Sequence, residues 1–245
     1  MLISVREIYK KFGVKPKVVL HVGAHKAEES ESMRASGWGA GKTIWVESQA
    51  NLAQALEKKF RNSNIDIVLN ATVWSQSGLT MTFYENSNSE SSSLYKLGSH
   101  AEYFPSIIPT REYKVTTSRL DQIISPEDKI DFINLDIQGA ELQALLGLGK
   151  LIDTVTEIYT EVNKGEVYKE CAQVWEIDDY LNSLGFKRIA TRWARGADWG
   201  DALYSRNFSY TKFLKFSLME RIRNQSINIR YLAHDVKALW FKRLK

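Results

Sequence analysis

The feature that most constrains this chain is a strand–helix rhythm that begins at residue 18 and runs almost to residue 207. Val18-Val19-Leu20-His21-Val22 is a continuous β-rich run ending on Gly23-Ala24, and a polar helical pattern follows it to Gly37. Residues 43–48 (TIWVES) give a second strand. Residues 51–60 give a second helix, with Leu52, Ala55, Leu56 and Phe60 on one face. Residues 65–73 (IDIVLNATV) are a third strand. The first and third runs are apolar throughout, without alternation, which suits strands covered on both faces. This order predicts a parallel sheet joined by right-handed crossovers.

The rhythm breaks between 75 and 118. Residues 80–85 and 111–118 read as strands, and the Ser/Asn tract between them, 86–93, is too polar to pack and reads as a loop. It then resumes with a strand over 129–137, a helix over 141–149, a strand over 157–162 and a helix around 167–185. The strands 185–193 and 201–207 close the pattern around a turn containing Gly196 and Gly200.

Composition narrows the class further. At 245 residues and 44% apolar content the chain is long enough for one large α/β domain with an appendage. Cys171 is the single cysteine, which excludes an internal disulfide and a thiolate zinc site. Arg6, Glu7, Lys10 and Lys11 interrupt the N-terminus where a signal peptide needs an apolar stretch, and no window reaches a membrane span. A cytoplasmic location is expected. Charge divides the chain: from Arg206 onward ten Lys/Arg face only Glu220 and Asp235, a net +8, while the preceding residues are net −4. The boundary is drawn at 1–207 and 208–245, and the two parts are read separately.

Three places in the body carry chemistry. Gly23-Ala24-His25-Lys26-Ala27 follows the first strand, where a glycine lets backbone pass close to a ligand and a helix N-terminus offers amides. It is equally the composition of a tight structural turn. Glu47 ends the second strand, 24 positions after Gly23, and a carboxylate there can accept both hydroxyls of a ribose. The third place is Asn134-Leu135-Asp136-Ile137-Gln138-Gly139-Ala140-Glu141. Asp136 falls at the carboxyl edge of the fourth sheet strand, where open α/β sheets bind ligands. Glu141 begins a helix, where it serves either chemistry or capping.

Taken in order, VVLHVGAHKAEES, IWVES, Asn70-Ala71 before WSQSG, SNSESSSL, TTSRLDQI, FINLDIQGAELQALLG and WGDALYSR resemble the FkbM-type family of S-adenosylmethionine-dependent methyltransferases. The resemblance spans roughly residues 15 to 207. It implies an α/β, Rossmann-like fold: a seven-stranded class I methyltransferase sheet with helices on both faces and its last strand antiparallel. It also implies S-adenosylmethionine as cofactor and methyl transfer to a hydroxyl of a sugar, glycan or related natural product.

Carried over by position, His21, Gly23, Ala24, Glu47, Asn70, Ala71 and Asp136 correspond to the cofactor site. Gly23 and Ala24 lie under its methionine part, Glu47 at the ribose, and Asn70 and Ala71 beside the adenine. Asp136 faces the transferring methyl and leads the catalytic candidates, followed by His25 and Glu141. Three positions depart from the family pattern: His21 stands where Asp is common, Ala27 where Gly is common, and Asn134 where Lys is frequent. The histidines 21, 25, 100 and 234 show no paired ligand spacing, so no metal is expected. Tyr95, His100 and Tyr103 lie in the irregular insertion, which either covers the acceptor or is a surface loop.

Three other classes share part of this pattern. A nicotinamide oxidoreductase would use Gly23 and Glu47, but its glycine motif is incomplete here and no Tyr-x-x-x-Lys pair occurs. A non-catalytic scaffold would dock through its basic tail. A nucleic-acid methyltransferase that modifies amino groups lacks its Pro-Pro signature, so no nucleic-acid partner is expected. In the tail, Ile229, Leu232, Val236 and Leu239 form an apolar stripe, and 239–245 (LWFKRLK) mixes aromatics with basic residues. A helix over 208–245 therefore serves homodimerisation, peripheral docking on the inner face of a membrane, or cover for its own sheet.

Overall fold

The main sheet has seven strands in the order β3-β2-β1-β7-β8-β10-β9. These are the strands β1 (Val18–Val22), β2 (Lys42–Glu47), β3 (Asp66–Asn70), β7 (Phe132–Leu135), β8 (Glu157–Asn163), β9 (Lys187–Trp193) and β10 (Trp199–Ser205). A second sheet, ordered β4-β6-β5, is built from β4 (Thr72–Val73), β5 (Thr80–Asn86) and β6 (Pro109–Ser118). The helices are α1 (Val5–Phe12), α2 (Ser30–Ala35), α3 (Ala50–Phe60), α4 (His100–Tyr103), α5 (Leu120–Ile123), α6 (Glu141–Leu146) and α7 (Val174–Ser183). The structure is a computed structural model and describes residues 1–207 and, beyond them, Leu218 alone. The expected helix over 208–245 and its docking lie outside the described residues.

In the main sheet β1, β2, β3, β7 and β8 are parallel, and β10 runs antiparallel between β8 and β9. The chain moves outward from β1 to β3, then returns beside β1 and moves outward the other way. Right-handed crossovers therefore put the two sets of helices on opposite faces. The sheet is the expected one, and its order reverses between β1 and β7, which leaves a crevice there. Leu20, Ile133, Leu135, Ile158 and Val162 sit at the centre of the core with no more than 1% exposure each.

Four readings of the sequence change. The apolar stretch 65–73 is two strands in two sheets, parted at Ala71. β3 is an edge strand with a neighbour only in β2, so Ile67 is 39% exposed rather than covered on both faces. The helix after β1 begins only at Ser30, because residues 23–29 are occupied by a turn with His25 and Ala27 at φ 46° and 52°. The helix expected over 167–185 starts at Val174, where Gln173 and Glu176 make reciprocal capping bonds.

A fifth change is an addition: the N-terminal pattern alone does not show α1. Ser4 caps its start and Gly13, at φ 74°, ends it. Val5, Ile8 and Phe12 are buried along one face. Arg192 on β9 ties it down by donating to both oxygens of Glu7, at 2.8 and 2.9 Å, which with Lys11 pulls the Glu7 pKa down to about 2. Residues ahead of this helix are thereby carried to the carboxyl edge of the sheet.

Candidate functional site

A cavity of about 540 Å³ opens at the carboxyl ends of β1, β2 and β7. Its floor is the turn after β1. Gly23 and Ala24 both donate to Val46 O, at 2.9 and 3.0 Å, and the His25 amide donates to Glu47 Oε2 at 2.8 Å. The three amides at this turn are therefore spent within the protein. A Cβ on Gly23, at φ 82°, would lie 1.8 Å from Asp136 O. The glycine is needed first for the β1 turn to pass the β7 edge, as a structural turn requires.

Glu47 is buried, and its two oxygens accept from the amides of His25 and Gln49, each at 2.8 Å. Burial pushes its pKa up against the opposing pull of those bonds. A carboxylate offers about four acceptor positions, so it keeps capacity for two hydroxyls. Asn70 instead spends its amide on Glu47 O and Ser48 O, at 2.8 and 3.1 Å, and does not line the cavity. It shapes the rim that Ala71 lines.

His21 and Asn134 face each other across β1 and β7, and Asn134 Nδ2 donates to the His21 ring, 2.9 Å from Nε2. Burial lowers the His21 pKa, which keeps the ring neutral. The two departures from the family pattern are thus one paired change, a neutral hydrogen-bonded couple where an acid and a base are common. Ala27, the third, is fully buried in the left-handed region that glycine enters without strain.

Asp136 is exposed to solvent within the cavity, whose walls stand around it. This enclosure raises its pKa by desolvation, against the opposing influence of the Met1 amine and a 2.6 Å hydrogen bond from Gln138 Nε2. Gln138, at φ 58°, also reaches Glu161 Oε2 at 3.4 Å, and Tyr168 donates to its oxygen. Glu141 takes no part in this. Its Oε1 accepts from the amides of Ile137 and Gly139, each at 3.1 Å, and burial pushes its pKa up to about 7. It is a buried brace for the loop after β7 and does not line the cavity.

His25 stands at the mouth, with Nδ1 2.8 Å from Glu28 and Nε2 2.8 Å from Ser89. Among the described residues His25, Glu28 and Glu90 alone bring ligand atoms within 4.8 Å of one another, and two of the three are exposed.

The Ser/Asn tract is no solvent loop. Ser91, Ser92 and Ser93 are buried, and the tract roofs the cavity. Ser93 donates to Gln138 O at 2.7 Å, Gln49 donates to Ser89 O at 3.2 Å, and Ser91 meets His100 Nε2 at 3.2 Å. His100 is buried and lines the cavity, whereas Tyr95 and Tyr103 do not.

The far wall was not foreseen from the sequence: Glu161 on β8, Trp199 and Asp201 on β10, Glu29 below α2, and Met1 and Leu2. The signal available was a carboxylate inside an apolar strand, as in residues 157–162 and 201–207, which has little structural excuse. Asp201 accepts from Leu2 N and from Tyr159 OH, and burial pushes its pKa up to about 6.

No curated protein sequence matches the chain. Among solved structures, Methyltransferase FkbM from Methylobacillus flagellatus KT is 17% identical with a TM-score of 0.49, covering 78% of this chain and 43% of that one. The chain thus spans less than half the length of that protein. A SAM-dependent methyltransferase from Aquifex aeolicus is 16% identical (TM-score 0.46; 83% and 90% covered). Magnesium protoporphyrin IX methyltransferase from Synechocystis PCC 6803, solved with bound SAM, is 10% identical (TM-score 0.44; 83% and 76% covered). The family model for the methyltransferase FkbM domain matches residues 21–188, from the His21 that floors the cavity into β9 and over more than half of the chain, and the chain belongs to that family.

Proposed function

We propose that this S-adenosylmethionine-dependent methyltransferase O-methylates a hydroxyl of a sugar, glycan or related natural product. The observation that carries the reading is Asp136, a carboxylate of raised pKa at the tip of β7 that opens into the same cavity as Glu47 and the Gly23 turn.

The residues present fit the cofactor. Seven carboxylates line the cavity and none of the described lining residues is Lys or Arg, which suits a sulfonium and opposes a pyrophosphate. The engaged amides of Gly23, Ala24 and His25 leave no cradle for phosphates either, so a dinucleotide reading loses both its charge and its donors. The cavity volume falls within the range usual for small-molecule sites. Glu47 would hold the ribose hydroxyls, and Gly23, Ala24 and His21 would bound the amino-acid end.

When bound, S-adenosylmethionine supplies an electrophilic methyl group whose leaving group is a neutral thioether. The protein must align an acceptor oxygen with that carbon and remove the oxygen's proton as the bond forms. Asp136 takes the proton, and its raised pKa makes it a better base than an ordinary aspartate. Gln138 holds the carboxylate by Oδ1. The Ser89–Ser93 roof limits water at the reacting atoms.

Calorimetric titration of the protein with S-adenosylhomocysteine and with NAD⁺ is the first test, with binding expected for the former only. Incubation with methyl-labelled cofactor and fractionated glycans should then place the label on a sugar oxygen. Binding of NAD⁺ alone would end the methyltransferase reading, and label on nitrogen or carbon would end the O-transfer reading.

A further inference from the structure

The charge in the cavity is uneven, and its excess sits away from the cofactor residues. Glu161 and Asp201 are cross-strand partners on β8 and β10. β10 lies three strands from β1, roughly 14 Å at the usual strand spacing of about 4.8 Å. Asp201 is thereby set apart from the Gly23 turn and from Glu47, and Glu161, on β8, lies two strands, roughly 10 Å, from β1. Both line the cavity beside Asp136, and both are buried, with 8% and 6% exposure.

Glu161 is poorly satisfied for so buried a group. Its carboxylate receives one long bond, 3.4 Å from Gln138 Nε2, and a weak pull from the neighbouring Asn163 side chain. Burial pushes its pKa up, and Glu141, Asp136 and Asp201 add to the rise. A carboxyl buried in this way avoids the cost of its charge by holding a proton or by pairing with a cation, and a cation bound here would restore the charge. Arg192, opposite Asp201 on β9, donates to both oxygens of Glu7 and to Leu2 O. The Met1 amine, 3.8 Å from Glu29, is one ammonium set against Glu29, Asp136, Glu161 and Asp201. Asp136, Glu161 and Asp201 do not draw within the 4.8 Å that a shared metal ion would need, so a larger cation with several contacts suits them better. His100 Nδ1, buried at the same cavity, has no partner and offers one more hydrogen bond to a polar ligand.

We infer that the acceptor carries a protonated amine beside the hydroxyl that is methylated, as an amino sugar or aminocyclitol does. Glu161 and Asp201 hold the ammonium, and Asp136 faces the reacting oxygen. An acceptor bearing phosphate or carboxylate near that hydroxyl would meet like charge, with no Lys or Arg among the described lining residues to offset it. This inference rests on the methyltransferase reading above.

The test compares four probes on the full chain saturated with S-adenosylhomocysteine: glucosamine, glucose, N-acetylglucosamine and glucuronic acid, titrated at neutral pH and followed by saturation-transfer NMR. Glucosamine is expected to bind at least about tenfold tighter than the two neutral sugars, and glucuronic acid not at all. Glu161→Gln and Asp201→Asn should each erase that preference while leaving S-adenosylhomocysteine affinity within about threefold. Glucosamine binding no tighter than glucose, or a preference that survives both substitutions, overturns the inference. If either variant fails to fold, the ranking of the four sugars on the parent decides alone. Failure of S-adenosylhomocysteine to bind the parent strikes the methyltransferase reading instead, and is seen before any sugar is added.

Discussion

The cavity has two walls built in different ways. The wall under β1 and β2 is made by residues close in sequence: Gly23, Ala24 and His25 follow one strand, and Glu47, Ser48 and Gln49 follow the next. The opposite wall draws Ser91, His100, Glu161, Trp199 and Asp201 from four separate segments. The first wall is neatly paired, with both Glu47 oxygens engaged by backbone amides at 2.8 Å. The second is crowded with carboxylates that burial has pushed toward their protonated forms. A site for a ligand shared by many proteins can be local and self-satisfied, whereas a site for one particular acceptor is assembled from wherever the fold brings side chains together. Asp136 belongs to both walls, since it ends the strand between them.

Substitution of Asp136 therefore gives the largest expected effect on the reaction. Asp136→Asn keeps size and can still meet Gln138, but removes the base. Turnover should fall by about 10²–10⁴, the usual contribution of a placed base, with little change in S-adenosylhomocysteine binding. The parent rate should rise with pH through a midpoint above the ordinary aspartate range, because only the ionised form accepts a proton and burial raises its pKa. A variant with parental rate, or a parent profile flat across that range, would remove Asp136 from the chemistry.

Gly23→Ala tests whether the two walls share one mechanical joint. The new methyl would lie 1.8 Å from Asp136 O and 3.1 Å from Ile137 Cγ2, at a φ of 82°. Backbone strain and overpacking together predict a loss of about 2–4 kcal/mol in urea unfolding. Turnover should fall as well, because the β7 edge that carries Asp136 has to move. Stability within about 0.5 kcal/mol of the parent, the range of a neutral surface change, would show that the joint is looser than drawn.

Glu47→Gln sharpens the account of the first wall. The amide cannot accept from both the His25 and the Gln49 amides without turning its own donors on one of them. Cofactor affinity should weaken by about 1.5–3 kcal/mol, the scale of hydrogen bonds to a charged group. The preference for amine-bearing probes should survive, since Glu161 and Asp201 lie on the other wall. Calorimetry reads both quantities, and unchanged affinity for S-adenosylhomocysteine would displace the ribose from Glu47.

The same contrast governs what was legible in the sequence. The order of the parallel strands, and the placement of Gly23, Glu47 and Asp136 at their carboxyl ends, were readable because local pattern and chain order determine them. The register of Glu161 against Asp201 comes from antiparallel pairing across some 40 residues, and nothing local encodes it. Ser91–Ser93 misled because a polar tract is normally solvated, yet here neighbouring loops supply its partners: Gln138 O accepts from Ser93, and Asn86 donates to Ser91 O. β3 misled because an apolar run says nothing of whether a strand has one neighbour or two. α1 is masked in the sequence by its charged positions, although Ser4, Gly13 and the buried Val5, Ile8 and Phe12 mark a short capped helix.

The smallest expected effect on the reaction belongs to Glu141, which sequence position put beside Asp136 and the structure puts behind it. Glu141→Gln keeps Oε1, the atom that accepts from Ile137 and Gly139, and loses only the charge. Turnover should stay within about threefold of the parent, as for a residue that braces a loop rather than touching substrate. Its pKa is raised by burial from an ordinary 4.5 to about 7, so the folded state holds this proton more tightly than the unfolded state does. The stabilisation from that tighter proton is complete below about pH 4.5 and is lost as pH rises through about 7. The Gln variant cannot ionise, so its stability should decline less than the parent's between pH 5 and pH 8, by on the order of 1 kcal/mol. Urea unfolding of both proteins at the two pH values reads the difference directly. Identical declines would mean that Glu141 is not the group titrating there, and a large fall in turnover would return it to the active site.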